Sequence, residues 1–224
     1  LCLNSNQVDN TISNFKGHEF WDSNFLQQCI FPINKPSGHS CYTYRIEFEY
    51  VKLEVLSSDP ILLVYHNFVP MRDIKGFLAD AESKAMEQLV ANGSEMDHEE
   101  TDAVRVVFRK IEKSIPAVDF KRSEIWEVSS YLPGGHYAPH YDYIDYKEGR
   151  HWDQDMRDFG GRFATLLLIL QTATRGGGLF RQSYNLSLSI FLETVFPSLS
   201  HTISPKPGDI LFWTNIDRIG NKVS

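Results

Sequence analysis

The stretch Tyr131-Leu132-Pro133-Gly134-Gly135-His136-Tyr137-Ala138-Pro139-His140-Tyr141-Asp142 decides how the rest of the chain reads. Pro133 and Gly134 suit the two central positions of a type II turn, where proline pre-sets φ and glycine supplies a positive φ. Residues 124–131 before this turn and 136–142 after it are expected to pair as a hairpin. In extended backbone, side chains two residues apart share a face. His140 and Asp142 then offer an imidazole nitrogen and a carboxylate oxygen to one metal ion. The plainer reading of the same triplet is a strand-end His and Asp bonded to each other or to water.

Toward the N-terminus, 71–92 reads as the clearest helix: Ile74, Phe77, Leu78, Ala81, Ala85 and Leu89 form one apolar stripe. Pro70 suits its first turn and Gly93 its stop. A second helix is expected over 101–114, with Val104, Val107, Phe108 and Ile111 inward and Pro116 beyond its end. The acidic run 95–102 reads as a solvated loop and helix start. Residues 51–56 alternate apolar and charged side chains as a half-buried strand does. Residues 57–60 then form a turn and 61–66 a second strand. Residues 1–50 have no clean periodicity and read as an irregular lead-in, with 51–224 as the folded domain.

Toward the C-terminus, 143–159 is polar and reads as a surface loop, and 162–170 as a buried strand. Residues 194–197 and 209–213 are the last strands expected. Helices ahead of a set of strands give an α+β class, with helices supporting a mostly antiparallel sheet.

Composition sets outer limits. The 224 residues are 42% hydrophobic and 23% charged, as in an ordinary globular protein. A formal net charge of −7 argues against a nucleic-acid partner, because phosphate backbones bind basic surfaces. No apolar run approaches membrane-spanning length. The chain begins Leu1-Cys2 rather than with Met, and reads as a fragment or processed product. Cys2, Cys29 and Cys41 lack metal-site spacing. They are either buried thiols or one disulfide with a thiol left over. Asn92-Gly93-Ser94 and Asn185-Leu186-Ser187 are glycosylation sequons.

Beyond the opening stretch, several motifs follow in order. They are Gly161-Arg162-Phe163-Ala164-Thr165, the triplet Gly176-Gly177-Gly178, Thr194-Val195-Phe196-Pro197, and Pro205-Lys206-Pro207-Gly208-Asp209 running into Trp213. With His140-Tyr141-Asp142, this ordered set resembles the catalytic domain of the collagen prolyl 4-hydroxylase alpha subunits, from about Val51 to the end. The resemblance implies a double-stranded β-helix, or jelly roll, with supporting N-terminal helices. It implies an iron and 2-oxoglutarate dioxygenase that hydroxylates peptidyl proline, with ascorbate keeping the iron reduced. His140 and Asp142 would be two ligands of a two-His, one-carboxylate Fe(II) set. Tyr131 and Thr165 would line the 2-oxoglutarate pocket, with Trp213 as core packing beside it. The substrate implied is a collagen-like proline-rich peptide, which Tyr137 and Tyr143 would flank. The partner implied is protein disulfide isomerase, and the compartment the endoplasmic reticulum lumen, where a disulfide persists.

The pattern departs from the family in two places. The family's second ligand histidine and its 2-oxoglutarate-binding lysine follow the strand that ends near Trp213. No histidine follows His201, which reads as a surface residue, and Lys222 matches the family lysine in neither position nor company. The chain is therefore expected to be C-terminally incomplete, with negligible hydroxylase activity as it stands. Residues 179–193 separate motifs that the family runs together, and read either as a hairpin insertion or, the reading preferred, as extra translated sequence. The alternatives are a non-catalytic paralogue acting as a binding protein, or a jelly-roll binding module that takes up no metal.

Overall fold

The computed structural model describes residues 40–88, 93–131, 137, 140–144, 157, 160–172 and 194–223. Nine strands and two α-helices are described. In chain order they are β1 (Ser40–Ile46), β2 (Glu49–Ser58), β3 (Ile61–His66), α1 (Met71–Gln88), β4 (Gly93–Met96), α2 (Asp102–Ser114), β5 (Trp126–Ser129), β6 (Ala164–Leu168), β7 (Thr194–Phe196), β8 (His201–Ile203) and β9 (Ile210–Thr214).

A five-stranded sheet, in the order β1-β2-β3-β9-β6, organises the molecule, and all its pairings are antiparallel. Its two faces follow from strand alternation. Val51, Tyr65, Leu168, Ile210 and Phe212 point to one side and pack against Ile74, Phe77 and Ala81 of α1 and Val104, Val107, Phe108 and Ile111 of α2. Leu62, Val64, Leu211 and Trp213 point to the other and pack against Phe196 of β7 and Ile203 of β8. The short β7–β8 sheet therefore covers the face that the helices leave open.

Both helices lie where their apolar stripes put them. Thr101 caps α2, its hydroxyl accepting from the Val104 N–H at 3.2 Å. The four residues expected inward on α2 are all buried. The Pro205-Lys206-Pro207-Gly208-Asp209 motif is a built corner. Gly208 has φ +89°, and a Cβ there would come within 2.4 Å of the Val69 carbonyl, so no side chain fits. The Asp209 carboxylate accepts from the N–H of Asn67 at 2.7 Å and of Lys206 at 2.9 Å, tying the exit of β3 to the entry of β9.

Four local expectations are corrected. Among the described residues, regular structure is already present at Ser40, ahead of Val51, because β1 pairs with β2 from Ser40↔Val55 to Ile46↔Glu49. Gly93 opens a strand rather than simply stopping a helix. Met96 and Ser94 of β4 are buried, and Ser94 donates to the Ala81 carbonyl at 3.2 Å, which draws part of the acidic run into a sheet. β5 pairs with β4, and the described residues 137 and 140–142 carry no strand pairing; the expected turn at 132–136 lies outside the described residues. The Trp126 side chain of β5 reaches the helix core, edge-on to Phe77 at 5.3 Å, and that burial selects its partner. Finally, β8 was not anticipated, and His201 within it is half-buried, its Nε2 3.2 Å from the Leu56 carbonyl, so it is not a surface residue.

Cys41 is an exposed free thiol. Cys2, Cys29, both sequon asparagines, the insertion at 179–193 and most of the loop at 143–159 lie outside the described residues. No helix among the described residues is long and apolar enough to cross a membrane.

Candidate active site

The site lies at the end of the inward face where β6 begins and β9 finishes. Thr165 of β6 sits opposite Trp213 of β9 and shares its face. The Thr165 hydroxyl donates to Asp142 Oδ2 at 2.6 Å, a short bond of the kind a carboxylate acceptor makes. The other Asp142 oxygen, Oδ1, lies 3.0 Å from His140 Nε2. His140 and Asp142 do meet, but not through strand geometry. Residues 140–142 have no strand pairing, and Asp142 sits in a bend. The carboxylate is held from the side by β6 instead.

Asn215, one residue past β9, is fully buried. Its side-chain N–H groups donate to Thr165 Oγ1 and to the Arg162 carbonyl, both at 3.0 Å. Its backbone N–H donates to the Phe163 carbonyl at 2.8 Å, and its own carbonyl accepts from Val223 at 2.9 Å. A chain of hydrogen bonds thus runs Asn215, Thr165, Asp142, with His140 at its outer end. Sequence reading missed Asn215, because a lone polar residue after an apolar strand reads as the start of a loop.

Arg162 stands just before β6 and pairs with Glu124 through two bonds of 2.5 and 2.6 Å. Glu124 first, with Asp142 and Glu127 further off, holds its guanidinium above its ordinary pKa. Arg162 therefore adds fixed positive charge beside Asp142 without being the group that binds it.

The Tyr137 ring tilts against His140, with centroids 4.3 Å apart. Lys222 reaches over the Tyr143 ring at 5.6 Å, on a short return that bridges Ile216 to Lys222. Tyr131 is 43% exposed; burial of its phenol first, and Tyr137 second, raise its pKa. Trp213 packs edge-on against Phe196 at 5.1 Å, as core packing should, and its buried indole N–H finds no acceptor among the described residues.

The two groups meet here at the distance of a direct ion pair, and the same spacing fits two ligands of one metal. Ligand bonds of about 2.1 Å at right angles set adjacent donor atoms about 3 Å apart, and His140 Nε2 and Asp142 Oδ1 are separated by 3.0 Å. Among the described residues, no third His, Cys, Asp or Glu completes a cluster. The donor set is one imidazole and one carboxylate.

No family model matches the chain. Over 199 residues it is 27% identical to prolyl 4-hydroxylase subunit alpha-2 of Caenorhabditis elegans, a match covering 80% of this chain and 34% of that protein. Over 131 residues it is 28% identical to prolyl 4-hydroxylase subunit alpha-2 of Gallus gallus, covering 58% of this chain and 21% of that one. Probable prolyl 4-hydroxylase 8 of Arabidopsis thaliana is 26% identical over 191 residues, covering 76% of this chain and 55% of the plant protein. The chain thus spans between about a fifth and about half of the length of these relatives. A solved structure of a viral collagen prolyl hydroxylase from Paramecium bursaria Chlorella virus-1, in a 2OG complex, superposes with a TM-score of 0.51 at 21% identity. It covers 72% of this chain and 82% of the viral one. In sequence the chain is similar to prolyl 4-hydroxylases of animals and plants, and in fold to a viral collagen prolyl hydroxylase.

Proposed function

We propose that this chain carries the core of a 2-oxoglutarate-dependent prolyl 4-hydroxylase, with His140 and Asp142 as two of its Fe(II) ligands. The observation that carries the reading is the 3.0 Å approach of His140 Nε2 to Asp142 Oδ1, with Oδ2 already taken by Thr165. A monodentate carboxylate beside one imidazole supplies two of the three ligands that a facial set requires. When bound, the iron would supply the site that activates O2 and orients 2-oxoglutarate. The protein's own contribution is geometric. Thr165 fixes the carboxylate, Tyr137 backs the imidazole, and Arg162 adds positive charge without competing for the ion.

The same reading takes the two facing sheets as the halves of a double-stranded β-helix. The shared apolar core between them, with Val64, Leu211, Phe196 and Ile203, supports that architecture. Tyr131 and Thr165 stand in the reading as residues bordering the 2-oxoglutarate pocket. Thr165's place on the inward face supports its role, and Tyr131 is carried by sequence likeness alone. A collagen-like proline-rich peptide as substrate, ascorbate as reductant, a protein disulfide isomerase partner and the endoplasmic reticulum lumen complete the proposal. They rest on likeness to the relatives.

The test pairs metal uptake with turnover. Fe(II)-dependent conversion of 2-oxoglutarate to succinate, stimulated by a (Pro-Pro-Gly)10 peptide and abolished by His140→Ala or Asp142→Ala, supports the enzyme reading. Metal uptake that needs both residues but yields no succinate favours a non-catalytic paralogue. Equal metal uptake by the unaltered chain and both variants overturns the site.

A further inference from the structure

We infer that Asn215 is a positioning residue for the metal-facing carboxylate, acting through Thr165. The inference rests on the metal reading of His140 and Asp142 given above. It begins from donor and acceptor accounting. A threonine hydroxyl has one proton to give and two lone pairs to receive with. The Asn215 side-chain N–H occupies a lone pair of Thr165 Oγ1 at 3.0 Å. The hydroxyl proton then has two acceptors in reach, and Asp142 Oδ2 at 2.6 Å is much the nearer, the Asn215 side-chain oxygen lying at 3.4 Å. That commits Oδ2 to the protein and leaves Oδ1 facing His140 Nε2 at 3.0 Å.

Asn215 suits this task because it cannot turn. It is fully buried, and its second N–H is held by the Arg162 carbonyl at 3.0 Å. Its backbone is clamped on both sides, to Phe163 and Val223. With the amide oriented, the shorter bond from Thr165 goes to Asp142 Oδ2, and Asp142 presents its other oxygen. A buried polar side chain with its hydrogen bonds satisfied is expensive to place by accident, since any lost partner leaves a desolvated group behind. Without the amide, the carboxylate is free to rotate and to present either oxygen, or both, to an ion. Groups that orient ligands in this way commonly change metal affinity 10- to 100-fold when altered.

The experiment is a Co(II) titration of the full chain, followed by its visible absorption, with folding checked by circular dichroism. Thr165→Val, which keeps shape and removes the hydroxyl, is expected to weaken Co(II) binding about 10-fold or more. Asn215→Asp, which replaces the donor with an acceptor in the same space, is expected to do the same. Thr165→Ser restores most of the affinity. Because Asn215 acts through Thr165, the double variant binds no more weakly than Thr165→Val alone. If Asn215→Asp does not fold, Thr165→Val alone decides. Unchanged affinity in that variant, while His140→Ala loses uptake, overturns the positioning role and leaves the metal site standing. Fully additive losses in the double variant overturn it too. Uptake that ignores His140 and Asp142 removes the metal reading itself, and the positioning role with it.

Discussion

The two faces of the five-stranded sheet solve different problems. The helix-facing side is apolar from end to end: Val51, Tyr65, Leu168, Ile210 and Phe212 meet two helices through a continuous core. The inward side is apolar in its middle, at Leu62, Val64, Leu211 and Trp213, and polar at both ends of β9. At one end Asp209, His66 and Glu54 cluster; at the other Asn215, Thr165 and Asp142 do. One face folds the chain. The other holds its polar groups in place, and the proposed metal site lies at one of its two ends.

That division makes unequal predictions. The largest effect belongs to the helix face. Phe77→Ala removes a fully buried ring that also meets Trp126 edge-on. It should cost about 3–5 kcal/mol, read by urea denaturation, without changing the affinity of the folded fraction for metal. A cost near 1 kcal/mol would mean that this face is less tightly built than its burial indicates.

The polar corner comes next. Asp209→Ala strands the N–H groups of Asn67 and Lys206 and should cost about 1–3 kcal/mol, again without altering metal affinity at the far end of β9. The corner also titrates. Asp209 and, after it, Glu54 raise the pKa of His66 against the effect of burial. Burial would raise that of Asp209, but His66 and the two backbone N–H groups outweigh it and lower the value. The stability from His66 is thus full below its unfolded pKa of about 6.5 and is lost as pH rises through the raised value. That from Asp209 is present above about 3.9 and is lost as pH falls through the lowered value. Thermal denaturation across a pH series should show a shoulder of stability between these limits, and His66→Gln should erase its alkaline edge.

A smaller effect tests the edge of the helix layer. Thr101→Ala removes the cap of α2 and should cost about 1 kcal/mol by denaturant melting. A much larger loss would show that the loop before α2 supports more than the helix end.

How far the sequence revealed this depends on the face. The helix stripes were legible because burial there repeats every three to four residues, and the strands at β3 and β9 because apolar runs end in turn residues. The corner at Gly208-Asp209 was legible as a motif, and its reason is visible in the Val69 carbonyl that excludes a side chain. The short strands β4 and β8 were not legible. Three or four residues, such as Gly-Ser-Glu-Met, carry too little pattern, and the partner of β4 lies far away in sequence. The meeting of His140 with Asp142 was anticipated, but from a hairpin that the described residues do not form. The support from Thr165 and Asn215 was invisible, since a buried polar group and a solvated one look alike in a single sequence.

In the proposed site, His140 and Asp142 grip one metal ion from the inward face. Crystals soaked in Mn(II), with diffraction collected at the manganese edge, test it most directly. The account predicts an anomalous peak about 2.1 Å from both His140 Nε2 and Asp142 Oδ1, with Oδ2 still bonded to Thr165. Density placed elsewhere, or the two side chains turned to opposite sides with no peak between them, would contradict it.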